Sequence, residues 1–195
     1  MRDATFTDPD LTTFTRLDGH GLQVVGQRLE PDRAVLACKV AEPDPWCRRC
    51  GAQGVVRGTV VRELAHERLG WRPTIVQVRV PRYRCEGCAH VWRQDISTAA
   101  APRAKLTRGA LRWALEGIVI AHLSMAKVAA GLGVAWHTAN TAVLAEGRAL
   151  LIDDERRFDD VHVIGVDEHV WRHARTGEKY VTVVIDLAPV RAGTG

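Results

Sequence analysis

The spacing of hydrophobic side chains changes twice along the 195-residue chain, and each change marks a different kind of element. In the first half, apolar positions alternate with polar ones, most clearly at Val76, Val78 and Val80. Between residues 107 and 147 they recur every three or four positions, and beyond residue 160 short β-like runs return. Alternation is typical of strands that bury one face, and the longer spacing is typical of amphipathic helices. The pattern therefore predicts an α+β protein built of several modules.

Four runs in the first half predict strands. They cover residues 22–25, 34–40, 55–64 and 74–83. The first two flank a charged stretch, residues 29–33, and predict a short hairpin; the last two predict a second hairpin. Residues 1–20 show no periodicity, so we expect a mobile or loosely docked arm there. Prolines in residues 41–45 and small side chains in residues 97–102 predict linkers on either side of the second hairpin.

The helical part begins with two capping residues. Thr107 can cap a helix whose apolar face comprises Leu111, Ala114, Leu115, Ile118 and Val119. Ser124 can cap a second helix over residues 125–130. Residues 128–147 then have the layout of a helix-turn-helix, with small Ala129 where two helices cross and Gly133 where the turn favours φ > 0. The apolar residues that would pack the pair are Val128, Leu132, Val134, Ala139, Ala142 and Val143.

This arrangement leaves polar side chains on the outward, N-terminal side of the second helix of the pair. They are His137, Asn140 and Thr141, together with Trp136. In a helix-turn-helix that part enters a major groove, where Asn can bond adenine with two hydrogen bonds and Thr can contact base edges or phosphates. The alternative is a generic pair of Ala-rich helices packed on a neighbouring domain. For Trp136 a core position is the alternative, because tryptophan belongs more often to a core than to a contact surface.

Two C-x-x-C pairs lie at the ends of the second predicted hairpin. They are Cys47 with Cys50 and Cys85 with Cys88, and 34 residues lie between the pairs. Two residues between thiolates let one tight turn aim both sulfurs at a single tetrahedral ion. Gly51 follows the first pair and Gly87 lies inside the second, as expected where the chain needs φ > 0 to curl around a metal. The spacing predicts a closed, structural Zn²⁺ site in a zinc ribbon.

Other roles for the cysteines fit the sequence less well. Disulfides need an oxidising compartment, but Met1 leads into polar sequence without the apolar core of a secretory signal. A redox C-x-x-C would be single and would follow a strand of a βαβ unit, whereas this sequence has two such pairs and shows no βαβ pattern. The fifth cysteine, Cys38, lies in an apolar run and is predicted to be buried in a strand. His90 could replace one cysteine as a ligand. Because the four thiolates already complete a tetrahedral site, we expect His90 to be a surface residue.

Charge is distributed unevenly along the chain. The net charge is +4, yet residues 46–112 carry 14 basic and four acidic side chains, and the segments on either side are net acidic. Nearly all the basic side chains are arginines, which suit forked phosphate contacts. The asymmetry favours nucleic acid as partner, with Arg108 and Arg112, off the apolar stripe of their helix, as candidate phosphate contacts. The alternative is an arginine-rich surface without a ligand. No apolar stretch has membrane-spanning length, so no membrane partner is expected.

The last part of the chain carries candidate metal-binding acids. An acidic linker over residues 151–160 precedes β runs at 161–166 and 180–187, joined by a polar turn at 175–178. The hairpin they predict has Asp167 at the end of its first strand. Two-metal phosphoryl-transfer sites need carboxylates held on neighbouring elements. Asp167 is the candidate, with Glu168 and Asp186 as weaker ones.

These features together resemble the ISL-three family of bacterial insertion-sequence transposases over roughly residues 35–195. The motifs, in chain order, are WCRRCG, YRCEGC, VAAGLGVAWHTANTAVLAEG, VIGVDEHVWRH and KYVTVVIDL. The resemblance implies a zinc ribbon and helix-turn-helix that bind terminal inverted repeats, followed by an RNase H-like domain with a DDE carboxylate triad and Mg²⁺. Asp167 matches the first triad aspartate, and the four paired cysteines match the zinc ligands.

The family's second aspartate and its glutamate lie far downstream, and this chain stops after the second strand of the catalytic fold. We therefore expect an N-terminal piece of a transposase, cytoplasmic and nucleoid-associated in a bacterium, that binds double-stranded DNA without cutting it. The expected modules are an arm and hairpin (1–40), a zinc ribbon (41–98), a helix-turn-helix domain (99–155) and a truncated RNase H-like start (156–195). That start should lack most of its core. A second copy or a full-length transposase could be a partner.

The sequence leaves two alternative functions. The first is a transcriptional regulator with a zinc ribbon and helix-turn-helix, in which the C-terminal hairpin mediates dimerisation. The second is a zinc-dependent enzyme, which is disfavoured because four cysteines leave no open coordination position and no H-E-x-x-H spacing occurs.

Overall fold

The computed structural model describes residues 9–170 and 180–193. The chain has mixed α+β structure and divides into two compact units, Met1–Gly147 and Arg148–Gly195, which are taken separately below. The polar turn predicted at residues 175–178 lies outside the described residues.

A five-stranded mixed sheet forms the first part of the first unit. Its strands are β1 (Leu22–Leu29), β2 (Ala34–Val40), β3 (Gly54–Leu69), β4 (Arg72–Cys85) and β5 (Val91–Arg93). The order is β1-β2-β4-β3, and β5 also pairs with β4. β2 runs parallel to residues 74–79 of β4, and all other pairs are antiparallel. The N-terminal hairpin and the strands between the cysteine pairs therefore share one sheet.

The hydrophobic core of this sheet follows the predicted alternation. Val76 and Val78 are fully buried and Val80 nearly so, which confirms the one-sided strand. Cys38 is also fully buried in β2, as predicted. β3 and β4 are longer than the sequence indicated, because the alternation weakens towards their common end while the backbone ladder continues to Leu69 and Arg72.

Two segments predicted to be loose are in fact packed. Residues 9–20 contain α1 (Leu11–Phe14) and a 3₁₀ turn (Asp18–His20). The expectation of a mobile or loosely docked arm is wrong for these residues, because Leu17 is fully buried in the core of the sheet. The predicted linker over residues 97–102 likewise places Ala99 and Ala100 in the core, where only small side chains are needed.

The first unit also contains α2 (Arg108–Val119), α3 (Met125–Leu132) and most of α4 (Trp136–Leu151), whose last turn belongs to the second unit. The caps are those predicted: the Thr107 side chain accepts a hydrogen bond from the Ala110 N–H, and the Ser124 side chain accepts one from the Lys127 N–H. The helices share a second core whose fully buried side chains are Leu106, Ala110, Ala114, Val128 and Leu132. Val119, predicted to lie on the apolar face of α2, is 54% exposed because the helix ends there.

The second unit contains a 3₁₀ turn (Glu155–Phe158), β6 (Ile164–Val170), β7 (Tyr180–Asp186) and α5 (Ala188–Ala192). β6 and β7 form an antiparallel hairpin. Within the described residues of this unit no side chain is buried, in agreement with the expectation that the segment lacks most of its core. The first strand begins three residues later than predicted and continues beyond Asp167.

Candidate metal centre and basic surface

The two cysteine pairs meet at one end of the sheet. Their four sulfur atoms lie within 4.8 Å of one another, with 3.6 Å between Cys47 and Cys88 and 3.3 Å between Cys50 and Cys85. All four thiols are free, and these separations are far longer than a disulfide bond of about 2.05 Å. A tetrahedral ion with metal–sulfur distances of about 2.3 Å sets its sulfurs about 3.8 Å apart. The cluster therefore has the donor set and dimensions of a four-thiolate metal site.

Two similar backbone turns position the sulfurs. The Gly51 N–H donates to the Cys47 carbonyl, and the Ala89 N–H donates to the Cys85 carbonyl. Gly51 has φ +73°, as predicted for the first turn. In the second turn the residue with positive φ is Ala89, at +58°, and not Gly87 as expected. Gly87 faces the cluster instead: a Cβ there would lie 3.7 Å from the Cys50 sulfur.

An aromatic stack supports this end of the sheet. The ring of Trp92 stacks on Tyr83 at a centroid distance of 5.4 Å and on His90 at 5.8 Å. Gly54 gives the ring room, because a Cβ at that position would clash with it. His90 was predicted to be a surface residue, but it is half-buried in this stack. It lies outside the cluster of sulfur ligands.

The thiols of the cluster differ in their readiness to ionise. Burial opposes ionisation of Cys47, but hydrogen bonds from the backbone of Arg49 and Cys50 outweigh it and lower the pKa of its thiol to about 7. A backbone hydrogen bond from Ala52 favours the Cys50 thiolate, yet the neighbouring thiols of Cys85 and Cys88 raise its pKa to about 12. Ionisation of one thiol in the cluster thus disfavours ionisation of the next, and a cation bound between them would relieve the repulsion between the thiolates.

Cys38 lies outside the cluster. Burial raises the pKa of its thiol to about 12, so it remains protonated and inert in the core.

The helix pair α3 and α4 has one buried and one exposed side. A three-residue turn joins the helices, and Gly133 adopts φ +65° there, as predicted. The N–H groups of Gly133 and Val134 bond back to the carbonyls of Ala130 and Ala129, which closes α3 with a Schellman motif. On α4, Ala139 and Val143 are buried.

The predicted contact residues of α4 lie on its other side. His137 and Thr141 are exposed and Asn140 is half-buried. Trp136 is 53% exposed, so it is not a core residue. These three polar residues lie in the first two turns of the helix, which is the part expected to face a groove.

The two arginines of α2 are exposed but already have partners. The Arg108 Nε donates to the Ser97 carbonyl at 2.8 Å, and the Arg112 Nε forms an ion pair with Glu116 at 2.6 Å. A phosphate would have to compete with these contacts, and the Arg112 charge is largely balanced by Glu116.

Three other arginines form an uncompensated group near the cysteine cluster. Arg82 on β4 lies directly opposite Arg93 on β5, and Arg84 projects from the same face two residues further along β4. All three are exposed. None takes part in an ion pair among the described residues. Like charges directly opposite each other destabilise a sheet, so an anion on this face would be favourable.

The pairing of Arg82 with Arg93 could not be predicted from the sequence, because strand register is not visible in it. His66, which is buried in β3, also lacks a sequence signal for its role. The His66 Nε2 donates to the Thr15 carbonyl at 3.1 Å, and its Nδ1 accepts from the Thr107 hydroxyl at 2.8 Å. The histidine therefore connects α1, the sheet and the cap of α2.

Among the described residues, the candidate catalytic residue Asp167 has no second carboxylate on its face of the hairpin. Asp167 was predicted at the end of a strand, but it lies in the middle of β6, opposite Val183, because the ladder continues to Val170. It pairs with His169 at 3.1 Å. Glu168 and Asp186 lie on the opposite face of the hairpin, since side chains alternate along each strand. Among the described residues, only the four paired cysteines form a group of three or more potential metal ligands.

In the described part of the chain, no helix is both long enough and apolar enough to cross a membrane. Comparison with protein-family models, with characterised proteins and with solved structures finds no match to this chain.

Proposed function

We propose that this chain is a zinc-stabilised protein that binds double-stranded DNA, and that it is the end-binding part of a DDE transposase. The observation that carries the proposal is the division of α4: Ala139 and Val143 are buried, while His137 and Thr141 are exposed directly after the Gly133 turn. A recognition helix needs this division, because one side packs on its partner helix and the other enters the major groove.

In this proposal the four-cysteine cluster is the Zn²⁺ site of a zinc ribbon. Four thiolates with similar spacing leave no open position for water, so the metal has a structural role. Cys47, Cys50, Cys85 and Cys88 hold the ion, and the ion holds the two turns at the end of β3, β4 and β5 together. Its binding free energy then contributes directly to folding.

The uncompensated arginines support DNA as the ligand. Arg82, Arg84 and Arg93 offer three guanidinium groups on one face of the sheet, and phosphates are the anions that such forks bind best. Non-specific affinity would come from contacts of this kind, whereas α4 would supply sequence preference.

The transposase assignment adds a target, the terminal inverted repeats of an insertion sequence, and a cytoplasmic, nucleoid-associated location. Asp167 would be the first of three catalytic carboxylates, with Mg²⁺ bound only when all three are present. A regulator that dimerises through β6 and β7 is the second candidate. It is favoured by the exposed apolar side chains of that hairpin, such as Val166 (62%) and Val184 (60%).

The experiment is fluorescence anisotropy of the zinc-loaded chain with duplexes from the flanks of its own locus and with a scrambled duplex of equal composition. We expect tighter binding to the flanking duplex and steep weakening with salt. Asn140→Ala should lower the affinity for the flanking duplex about tenfold, because a bidentate contact to adenine is lost. The affinity for the scrambled duplex should not change. Gln27→Ala, an exposed amide on β1, is the matched control.

If both duplexes bind with equal affinity and Asn140→Ala changes neither affinity, α4 does not recognise the DNA sequence. Preference for a promoter fragment over terminal repeats would favour the regulator. Addition of Mg²⁺ should cause no nicking of the flanking duplex, since Asp167 has no second carboxylate beside it in the described residues.

A further inference from the structure

The tip of the β3–β4 hairpin carries the most exposed large hydrophobic side chain of the described residues. Trp71 is 89% exposed and lies with Gly70 in a two-residue turn, since Leu69 pairs directly with Arg72. Exposure of so much apolar surface to water is unfavourable, and a bound ligand would bury it.

Two arginines flank this tryptophan. The guanidinium of Arg68 lies over the Trp71 ring, 4.7 Å from its centroid. Arg72 follows directly and is exposed. Neither arginine forms an ion pair among the described residues. The tip therefore presents one aromatic ring and two uncompensated positive charges.

Packing against α3 fixes the tip beside the turn that leads into α4. A Cβ on Gly133 would lie 2.8 Å from the Pro73 Cβ, so the turn and the hairpin are in direct contact. A Cβ on Gly131 would lie 3.5 Å from the Arg68 Cδ. α4 begins three residues after Gly133, so one short turn links the hairpin contact to the start of the helix.

We propose that the tip, defined as Arg68, Trp71 and Arg72, is a second DNA-contacting element. It would engage the minor groove and phosphates of the same duplex, beside the major-groove segment that α4 occupies. This inference rests on the proposed DNA-binding function and extends it. Arginine suits the negative potential of a narrow minor groove, and apolar side chains inserted there wedge between base steps.

The chemistry of the tip favours DNA over other occupants. Trp and Arg together also suit a membrane interface, but a membrane would bring no partner to the polar side of α4. A single duplex, in contrast, satisfies both the tip and the helix, because the two grooves are adjacent on its surface.

The test compares affinity of the full 195-residue chain for the flanking duplex after Trp71→Ala and after Arg72→Ala. We expect Trp71→Ala to weaken binding about tenfold with an unchanged salt dependence, since the lost contact is uncharged. Arg72→Ala should weaken binding and also reduce the slope of log affinity against log salt by about 1. Phe14→Ala and Lys39→Ala, an exposed aromatic and an exposed cation on other elements, are the matched controls.

Thermal unfolding should be unchanged in both variants, because the side chains are exposed. Wild-type affinity in Trp71→Ala, with loss in Asn140→Ala, would overturn this inference and leave the proposed function in place. Failure of the wild-type chain to bind any duplex would overturn both. Binding to phosphatidylserine vesicles that Trp71→Ala abolishes, with DNA affinity unchanged, would assign the tip to a membrane surface and contradict the proposal.

Discussion

Gly51 and Ala89 occupy equivalent positions in the two cysteine turns. Each is the fourth residue after the first cysteine of its pair, and each donates its N–H to that cysteine's carbonyl. Both have positive φ, +73° at Gly51 and +58° at Ala89. Gly51 tolerates this backbone geometry because it has no Cβ. For Ala89, which has a Cβ, the left-handed region costs about 1 kcal/mol.

Exchanging these two residue types should therefore change stability in opposite directions. Ala89→Gly should raise the free energy of unfolding by up to about 1 kcal/mol, because the strain of a left-handed alanine is removed. Gly51→Ala should lower it by a similar amount. Urea denaturation of the zinc-loaded chain measures both, and a destabilised Ala89→Gly variant would show that the turns are not equivalent energetically.

Metal content should depend on the paired cysteines and not on Cys38. Cys47→Ser or Cys88→Ser should abolish zinc binding, because only three thiolates remain, and should unfold the adjacent end of the sheet. Cys38→Ala should keep one zinc per chain and lose about 1 kcal/mol through poorer packing of the core. Elemental analysis and circular dichroism give both quantities. Zinc loss in Cys38→Ala with the fold intact would place Cys38 among the ligands.

His66 should make stability depend on pH. Burial lowers its pKa in the folded protein below the usual 6.5, an effect only partly opposed by the hydrogen bond to Thr15. The unfolded chain then binds more protons between the two pKa values, so the stabilisation is present above about pH 6.5 and is lost as the pH falls. The slope contributed by this residue is at most about 1.4 kcal/mol per pH unit.

The measurement is urea denaturation of wild type and His66→Leu from pH 5 to pH 8. The variant should be less stable at pH 8, because Thr15 and Thr107 lose a partner, and the difference should shrink as the pH falls. A constant difference across this range would mean that His66 does not titrate below 6.5.

The arginine pair on β4 and β5 offers a test that separates folding from binding. Arg93→Glu places a carboxylate opposite Arg82 and should stabilise the chain by about 0.5 kcal/mol, since a repulsion becomes an attraction. The same change should weaken DNA binding and reduce its salt dependence, because positive charge is removed from the surface. Arg93→Gln is the control for charge removal without ion pairing. Unchanged DNA affinity in Arg93→Glu would exclude this face from the interface.

The sequence alone was enough to identify features that depend on neighbouring residues. The cysteine spacing predicted two turns that aim their sulfurs inward, and Thr107 and Ser124 cap helices through hydrogen bonds to residues three positions away. Alternation predicted the buried side of β4 at Val76 and Val78. Each of these signals is decided within one turn or one strand, where local geometry leaves few alternatives.

Only the tertiary structure decided the relationships between distant parts of the chain. The parallel pairing of β2 with β4, the position of Arg93 opposite Arg82, and the contacts of His66 with Thr15 and Thr107 join residues that no local pattern connects. The contact of Pro73 with Gly133, which sets the hairpin against the turn before α4, is of the same kind. Such contacts depend on which of many possible pairings buries the most apolar surface while satisfying the backbone, and that choice is made by the whole fold.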